Sequence, residues 1–329
     1  MKHYDVLYLL KENRNDFVSG QLISEKLGVS RTAIWKYIKV LKDEGYTIDS
    51  SSKKGYKLIS CPDILTFEEI KDHLNTKYIG KKIIHYESIG STNTIAKKLA
   101  EQGEENGTVI IAEGQTAGRG RIGRTWSSPK YKSIYFSIIL RPNVNPMEIP
   151  KITQIIAAAI IEGLKELKIE AKVKWPNDIV MDGKKVCGIL TEMSGELNKV
   201  NYVIPGTGIN VNLNREDFQK DILNKATSLK IETGSTMDRK VILGTILNKF
   251  EPLYEEFVQK GTIESSIEIC KNNSAAIGKN IRIIQNKNER QAKAVNLAED
   301  GGLIVQYENG SFEKLISGEI SIRGLDKYI

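Results

Sequence analysis

Hydrophobic residues recur along this 329-residue chain in three successive patterns. Up to about residue 60 the spacing is helical and then alternating. Leu7, Leu10 and their neighbours predict a helix over Tyr4 to Lys11, and Leu22, Ile23 and Leu27 a second over Gly20 to Leu27. Gly28 tolerates the positive φ of a sharp turn, and Ser30 can cap a third helix by accepting from its free N–H groups. In that helix Ala33, Ile34, Ile38 and Leu41 share the inward face, while Arg31, Thr32, Trp35, Lys36 and Lys39 lie opposite. After Gly45, residues Tyr46, Ile48, Tyr56 and Leu58 alternate around a polar tip holding Lys53 and Lys54, which predicts a hairpin. These are the parts of a winged helix-turn-helix. Its outward donors suit phosphates and base edges in a major groove, so Gly20, Gln21, Ser30, Arg31, Thr32, Trp35, Lys36, Lys39, Lys53 and Lys54 are the candidate DNA-binding residues.

Cys61-Pro62-Asp63 marks a boundary, after which apolar runs have the lengths of buried strands. Val109 to Ala112, Ile134 to Leu140, Lys172 to Trp175, Ile179 to Met181, Val186 to Met193 and Tyr202 to Ile204 read as strands. Asp182-Gly183 is a hairpin turn between two of them. Periodic apolar positions predict long helices over Pro150 to Leu167 and Val241 to Gln259, the second with a kink at Pro252. From about Ala276 short strands alternate with turns at Asn286-Lys287-Asn288, Asp300-Gly301-Gly302 and Glu308-Asn309-Gly310, the pattern of a small antiparallel barrel. The expected division is 1–62, 63–275 and 276–329, an α+β multidomain chain.

Composition narrows the choice. The net charge is +7, and residues 1–60 alone carry eleven lysines and arginines against seven acids. The longest uninterrupted apolar run, Ile155 to Ile161, is far short of the ~20 residues of a membrane span. No signal peptide is evident. Cys61, Cys187 and Cys270 are odd in number and far apart, which suits free thiols in a reducing cytoplasm. His3, His73 and His85 have no metal-ligand spacing, and neither a G-x-S-x-G elbow nor a P-loop occurs.

The densest chemistry lies at Gly118-Arg119-Gly120-Arg121-Ile122-Gly123-Arg124-Thr125-Trp126. It contains G-x-G-x-x-G, but a dinucleotide site needs a helix there and an acid about twenty residues on. No acid occurs from Gly114 to Met147, whereas Arg119, Arg121, Arg124, Lys130, Lys132 and Arg141 do. Guanidinium forks bind phosphate oxygens bidentately, and alternate glycines let the backbone approach a ligand. The stretch reads as a mobile loop that closes over a phosphate-containing ligand.

That loop, with Ser127-Ser128-Pro129 after it, resembles the signature of the biotin protein ligase family. Four further segments agree in order: Ser91-Thr92-Asn93, Lys174-Trp175-Pro176-Asn177-Asp178, Lys184-Lys185-Val186-Cys187-Gly188-Ile189-Leu190, and Gly206-Thr207-Gly208-Ile209-Asn210-Val211-Asn212. Gly318-Glu319-Ile320-Ser321-Ile322-Arg323 resembles the end of the family's C-terminal barrel. The resemblance implies a central mixed sheet like that of class II synthetases and an SH3-like C-terminal barrel. It implies that biotin and ATP give biotinyl-5′-AMP, which then biotinylates a lysine of the biotin carboxyl carrier domain of acetyl-CoA carboxylase or a related carboxylase. Arg121 and Lys185 would be catalytic. Ser91, Thr92, Asn93, Gln115, Arg119, Gly120, Arg121 and Lys185 would hold biotin. Arg124, Lys174, Asn177, Asp178 and Asn210 would face ATP, with Asp178 touching Mg²⁺. In repressor-type members the adenylate is also co-repressor, and the adenylate-bound homodimer binds operator DNA.

Trp126 and Trp175 read as packing residues. Two rivals remain at the level of sequence: a lipoate–protein ligase, and a transcription factor whose ligase domain only senses biotin.

Overall fold

The computed structural model describes residues 2–285, 288–318, 320–325 and 327–329, in two compact units spanning 1–64 and 65–329. The first unit contains α1 (Lys2–Glu12), α2 (Gly20–Leu27), α3 (Arg31–Asp43), β1 (Thr47–Ser51) and β2 (Gly55–Ser60). The helices close on Leu7, Leu10, Ile23, Ile34, Ile38 and Leu41, and the hairpin adds Ile48 and Leu58. Gly28 does adopt φ +60, and Ser30 Oγ accepts from Ala33 N at 3.2 Å, so the turn and the third helix start where the sequence places them. Lys42 donates to Ser50 Oγ at 3.0 Å and ties α3 to the hairpin.

The second unit opens with α4 (Phe67–Ile70), β3 (Ile83–Tyr86), α5 (Thr92–Glu101), β4 (Val109–Ala112) and β5 (Ser133–Ile138). It continues through α6 (Pro150–Glu166), β6 (Lys172–Lys174), β7 (Asp178–Met181), β8 (Lys184–Glu196) and β9 (Lys199–Asn210). After α7 (Leu229–Thr233), α8 (Arg239–Lys260) and α9 (Glu264–Asn272) come β10 (Asn280–Gln285), β11 (Asn288–Leu297), β12 (Leu303–Gln306), β13 (Phe312–Leu315) and β14 (Ser321–Gly324). The strands β3-β4-β5-β9-β8-β7-β6 form one mixed sheet in which only β3 and β4 pair in parallel. The strands β13-β12-β11-β10-β14 form a separate antiparallel sheet.

One face of the mixed sheet packs on α6 and α8 through Phe136, Ile189, Ile209, Ile156, Ile160, Ile246 and Phe250, and this core runs on into the small sheet through Ile281, Ala294 and Val305. The other face carries a smaller core with α5, of Ala96, Ala100, Ile110, Tyr202 and Ile204. β8 and β9 extend well beyond the runs that apolar residues predict. Thr191 to Glu196 and Lys199 to Asn201 are largely polar, Met193 and the buried Val200 apart, and that end of the hairpin is largely exposed. The Asn286-Lys287 turn lies outside the described residues, whereas turns at Asp300–Gly302 and Glu308–Gly310 do separate β11, β12 and β13. Among the described residues no helix is long and apolar enough to cross a membrane.

Candidate active site and nucleic-acid face

The site is built on glycines. Gly188 and Gly208 are paired across β8 and β9, and Gly206 lies two residues on, so the three share one face of the sheet. A Cβ at Gly206 would lie 1.8 Å from Asn93 Oδ1, and one at Gly208 would lie 2.6 Å from Trp126 Nε1. The missing side chains make a floor on which other groups rest.

At one end of this floor stands the start of α5. Ser91 occupies the N-cap position of α5 but makes no side-chain capping hydrogen bond. Gln115 Oε1 accepts from Thr92 N at 2.9 Å, and Gln115 Nε2 donates to Ser128 Oγ at 3.0 Å. Asn93 is fully engaged: its Nδ2 donates to Leu190 O and Glu192 Oε2, and its Oδ1 accepts from Ser137 Oγ at 2.6 Å. It is a wall of the cavity. Glu192 also meets Lys97 at 2.7 Å and Arg119 at 3.0 Å. Burial alone would raise the Glu192 carboxyl, but Lys97, Asn93 and Arg119 together hold it below its ordinary value.

At the other end lie Lys174, Asp178 and Lys185. Lys185 reaches this face because of a β-bulge: Ile179 pairs with Cys187, but Val180 pairs with Lys185. Regular alternation would place Lys185 on the face of Cys187, which is buried in the helix-side core. The bulge turns it onto the face of Gly188 instead. Its Nζ lies 2.5 Å from Asp178 Oδ1 and 5.1 Å from the centre of the Trp126 ring. Lys174 Nζ stands 3.5 Å from Asp178 Oδ2. Burial lowers Lys174 to about 8, against the pull of Asp178. Burial would raise Asp178, yet Lys185 and Lys174 outweigh it and hold the carboxyl well below the usual range.

The arginine-glycine loop covers both ends. Ile122 sits at φ +56, a left-handed conformation that β-branched residues rarely adopt, so the loop backbone is strained. Arg121 donates to Asn177 Oδ1 at 2.8 Å, to Ile320 O at 3.0 Å and to Gly318 O. Asn177 in turn donates to Ile189 O at 2.7 Å, and Asn210 to Thr227 O at 3.0 Å, so both amides brace strands and loops. Arg124 and Arg119 are exposed on the loop. Two cavities adjoin beneath it. The larger, about 230 Å³, is lined by Arg121, Arg124, Lys174, Asp178, Lys185, Asn210, Arg323 and Tyr328 among others. The smaller, about 40 Å³, is lined by Ser91, Thr92, Asn93, Gln115, Arg119 and the glycine floor. Gly120, Arg121, Trp126, Asn177 and Lys185 line both. A water takes roughly 30 Å³ and a small-molecule site roughly 300 Å³ or more, so the smaller cavity as it stands is too small for a ligand of that class.

Trp175 packs as its sequence context suggests: it is 2% exposed, and its Nε1 donates to Gly301 O at 2.9 Å. Trp126 does not. It lies on Gly188 and Gly208 between the cavities, and its buried Nε1 has no hydrogen-bond partner among the described residues. Sequence reasoning also missed Glu192, the Leu213–Ala226 stretch that lines the larger cavity through Asp217, Phe218 and Ile222, and Tyr328. The Leu213–Ala226 stretch carries no strong periodicity, and Tyr328 comes from beyond a different sheet. The expected Mg²⁺ contact at Asp178 fits poorly. Lys185 Nζ lies 2.5 Å from one carboxylate oxygen, and Tyr328 and Lys174 meet the other.

In the first unit, Ser30, Arg31, Thr32, Trp35, Lys36, Lys39, Lys53 and Lys54 are all exposed, and Gly20 and Gln21 lie beside them at the start of α2. Gln21, Arg31, Trp35, Lys39, Lys42 and Lys53 line one concave face between α3 and the hairpin. Lys39 Nζ lies 5.9 Å from the centre of the Trp35 ring.

The Biotin/lipoate A/B protein ligase family matches residues 85–210, an HTH domain matches 2–57, and the biotin protein ligase C terminal domain matches 276–323. The chain is 37% identical to the bifunctional ligase/repressor of Bacillus subtilis, over 97% of this chain and 98% of that one. It is 29% identical to the bifunctional ligase/repressor of Escherichia coli, over 95% of each. The biotin protein ligase of Aquifex aeolicus, solved in complex with biotin and ATP, superposes with a TM-score of 0.64 at 31% identity, covering 74% of this chain and 99% of that one. The chain therefore belongs to the bifunctional biotin ligase/repressor family.

Proposed function

We propose that this chain attaches biotin to one lysine of a biotin carboxyl carrier domain, at the expense of ATP, and that the intermediate makes it a repressor. The observation that carries the reading is the wall shared by the two cavities, which holds Arg121 and Lys185. In the first step the biotin carboxylate attacks the α-phosphate of ATP; a carboxylate–phosphate bond forms and pyrophosphate leaves. Two anions meet there, so neutralising and aligning them dominates the barrier. Arg119, Gly120, Arg121 and Lys185 serve the carboxylate, and Ser91, Thr92 and Gln115 the ureido ring, with Asn93 as a supporting wall. Lys174 and Arg124 face the phosphates, while Asn177 and Asn210 hold the surrounding strands. Mg²⁺ would accompany the nucleotide's own oxygens, as that ion prefers. In the second step the carrier lysine amine attacks the mixed anhydride, loses a proton and displaces AMP. No covalent enzyme intermediate is required.

The division into 1–62, 63–275 and 276–329 accompanies this reading, as does a cytoplasmic location. Ordering of the loop by biotinyl-5′-AMP would favour a homodimer, and two copies of the exposed α3 face would then read an inverted-repeat operator. The reciprocal consequence is testable: operator affinity should rise with biotin plus ATP, and equal affinity with and without them contradicts the linkage.

Arg121→Ala is expected to speed release of biotinyl-5′-AMP roughly ten- to a hundredfold, because hydrogen bonds from a charged group are lost at both loop anchors. A trapped single turnover followed by filtration measures it; wild-type retention would remove Arg121 from this role.

A further inference from the structure

We infer that Tyr328, on the segment after β14, is a positioning residue for adenylate formation, one that sets how Asp178 divides its charge between Lys174 and Lys185. The inference rests on reading the larger cavity as the nucleotide site. Tyr328 OH donates to Asp178 Oδ2 at 2.5 Å, while Lys185 Nζ takes Oδ1 at 2.5 Å. The ring of Tyr328 lies between two cations: Lys174 Nζ is 4.2 Å from its centre, and the Arg323 guanidinium carbon is 4.5 Å from it.

A buried carboxylate beside two ammonium groups would draw both onto itself, since each charge is poorly solvated there. A phenol supplies Oδ2 with a neutral donor instead. Burial first, and Asp178 second, push the Tyr328 ionisation up, so the donor stays protonated. Lys174 is left at 3.5 Å from Asp178 and attracted to the ring face, which keeps its ammonium on the cavity side of the cluster. The hydroxyl thus governs Asp178 and, through it, Lys185; the ring governs Lys174 and Arg323. All five side chains line the larger cavity.

These two contributions separate in the full-length chain. In single-turnover formation of biotinyl-5′-AMP at saturating biotin, Tyr328→Phe should lower the maximal rate roughly tenfold or more, with little change in KM for ATP, because only the hydrogen bond to a charged group is lost. Tyr328→Leu should add a rise in KM for ATP of roughly three- to tenfold, since the ring–cation contacts also go. KM for biotin should stay constant in both. A merely structural tyrosine would lower the amount of folded protein or its thermal midpoint while both constants per active site stayed at wild-type values. That outcome, in both variants, would overturn the role. If the wild-type chain itself made no adenylate, the functional reading would fail and this inference with it. Wild-type turnover beside unaltered variants condemns the inference alone.

Discussion

Replacing Lys185 with alanine is expected to slow adenylate formation by roughly 10²–10³-fold, the effect of removing one preorganised group at a developing charge. Lys185 lines both cavities, and the β-bulge fixes it on the glycine floor. Its backbone is held further by Lys185 N donating to Lys225 O at 2.8 Å and Lys185 O accepting from Thr227 N at 2.9 Å. The ammonium is therefore positioned before substrates arrive. Lys185→Arg should rescue little, because a planar fork on a longer stem does not fit between Asp178 and the Trp126 ring. The measurement is pyrophosphate release in a single turnover, with circular dichroism as the control for folding. An unaltered rate would refute the role.

Glu113→Ala is expected to lower the unfolding free energy by roughly 3–5 kcal/mol, the effect of breaking a fully buried ion pair. Glu113 and Arg239 are both 0% exposed and 2.7 Å apart. Glu113 also accepts from Leu65 N at 2.7 Å and meets His85 Nε2 at 3.0 Å. One carboxylate thus joins β4 to β3, α8 and the first residue of the second unit. Burial would raise its ionisation, but His85, Arg239 and Leu65 N hold the pKa below the ordinary glutamate value. Its contribution is therefore complete above the unfolded-state pKa of about 4.3 and is lost as pH falls through the lower folded value. Thermal melts at neutral pH should show a fall on the order of ten degrees. A midpoint within two degrees of wild type would contradict the account.

The contrast between Lys185 and these groups explains what the sequence could disclose. The second helix at Gly20, the cap at Ser30, the inward stripe of α3 and the glycine–arginine loop are local patterns, so they can be read from spacing. The lysine is legible from its motif, but the bulge that aims it is not, because a register shift leaves no composition signal. The resemblance brings Asn93, Asn177 and Asn210 to the ligands, and all three line the cavities; that their amides also bond protein atoms of distant segments is not visible in sequence. Trp126 reads as a packing residue and does pack on Gly188 and Gly208, but sequence does not show that the same ring lines both cavities. Tyr328 meets Asp178 across 150 residues of chain, a separation that no window of sequence captures.

The central claim is that the shared wall of Arg121 and Lys185 serves biotin and ATP on the way to a carrier lysine. Incubating the chain with ATP, Mg²⁺, a biotin carboxyl carrier domain and either biotin or lipoate tests it most directly. The account predicts ATP-dependent mass gain of one biotin on one lysine of the carrier, and none with lipoate. Labelling by lipoate, or no labelling by either while DNA binding still responds to biotin, would contradict it.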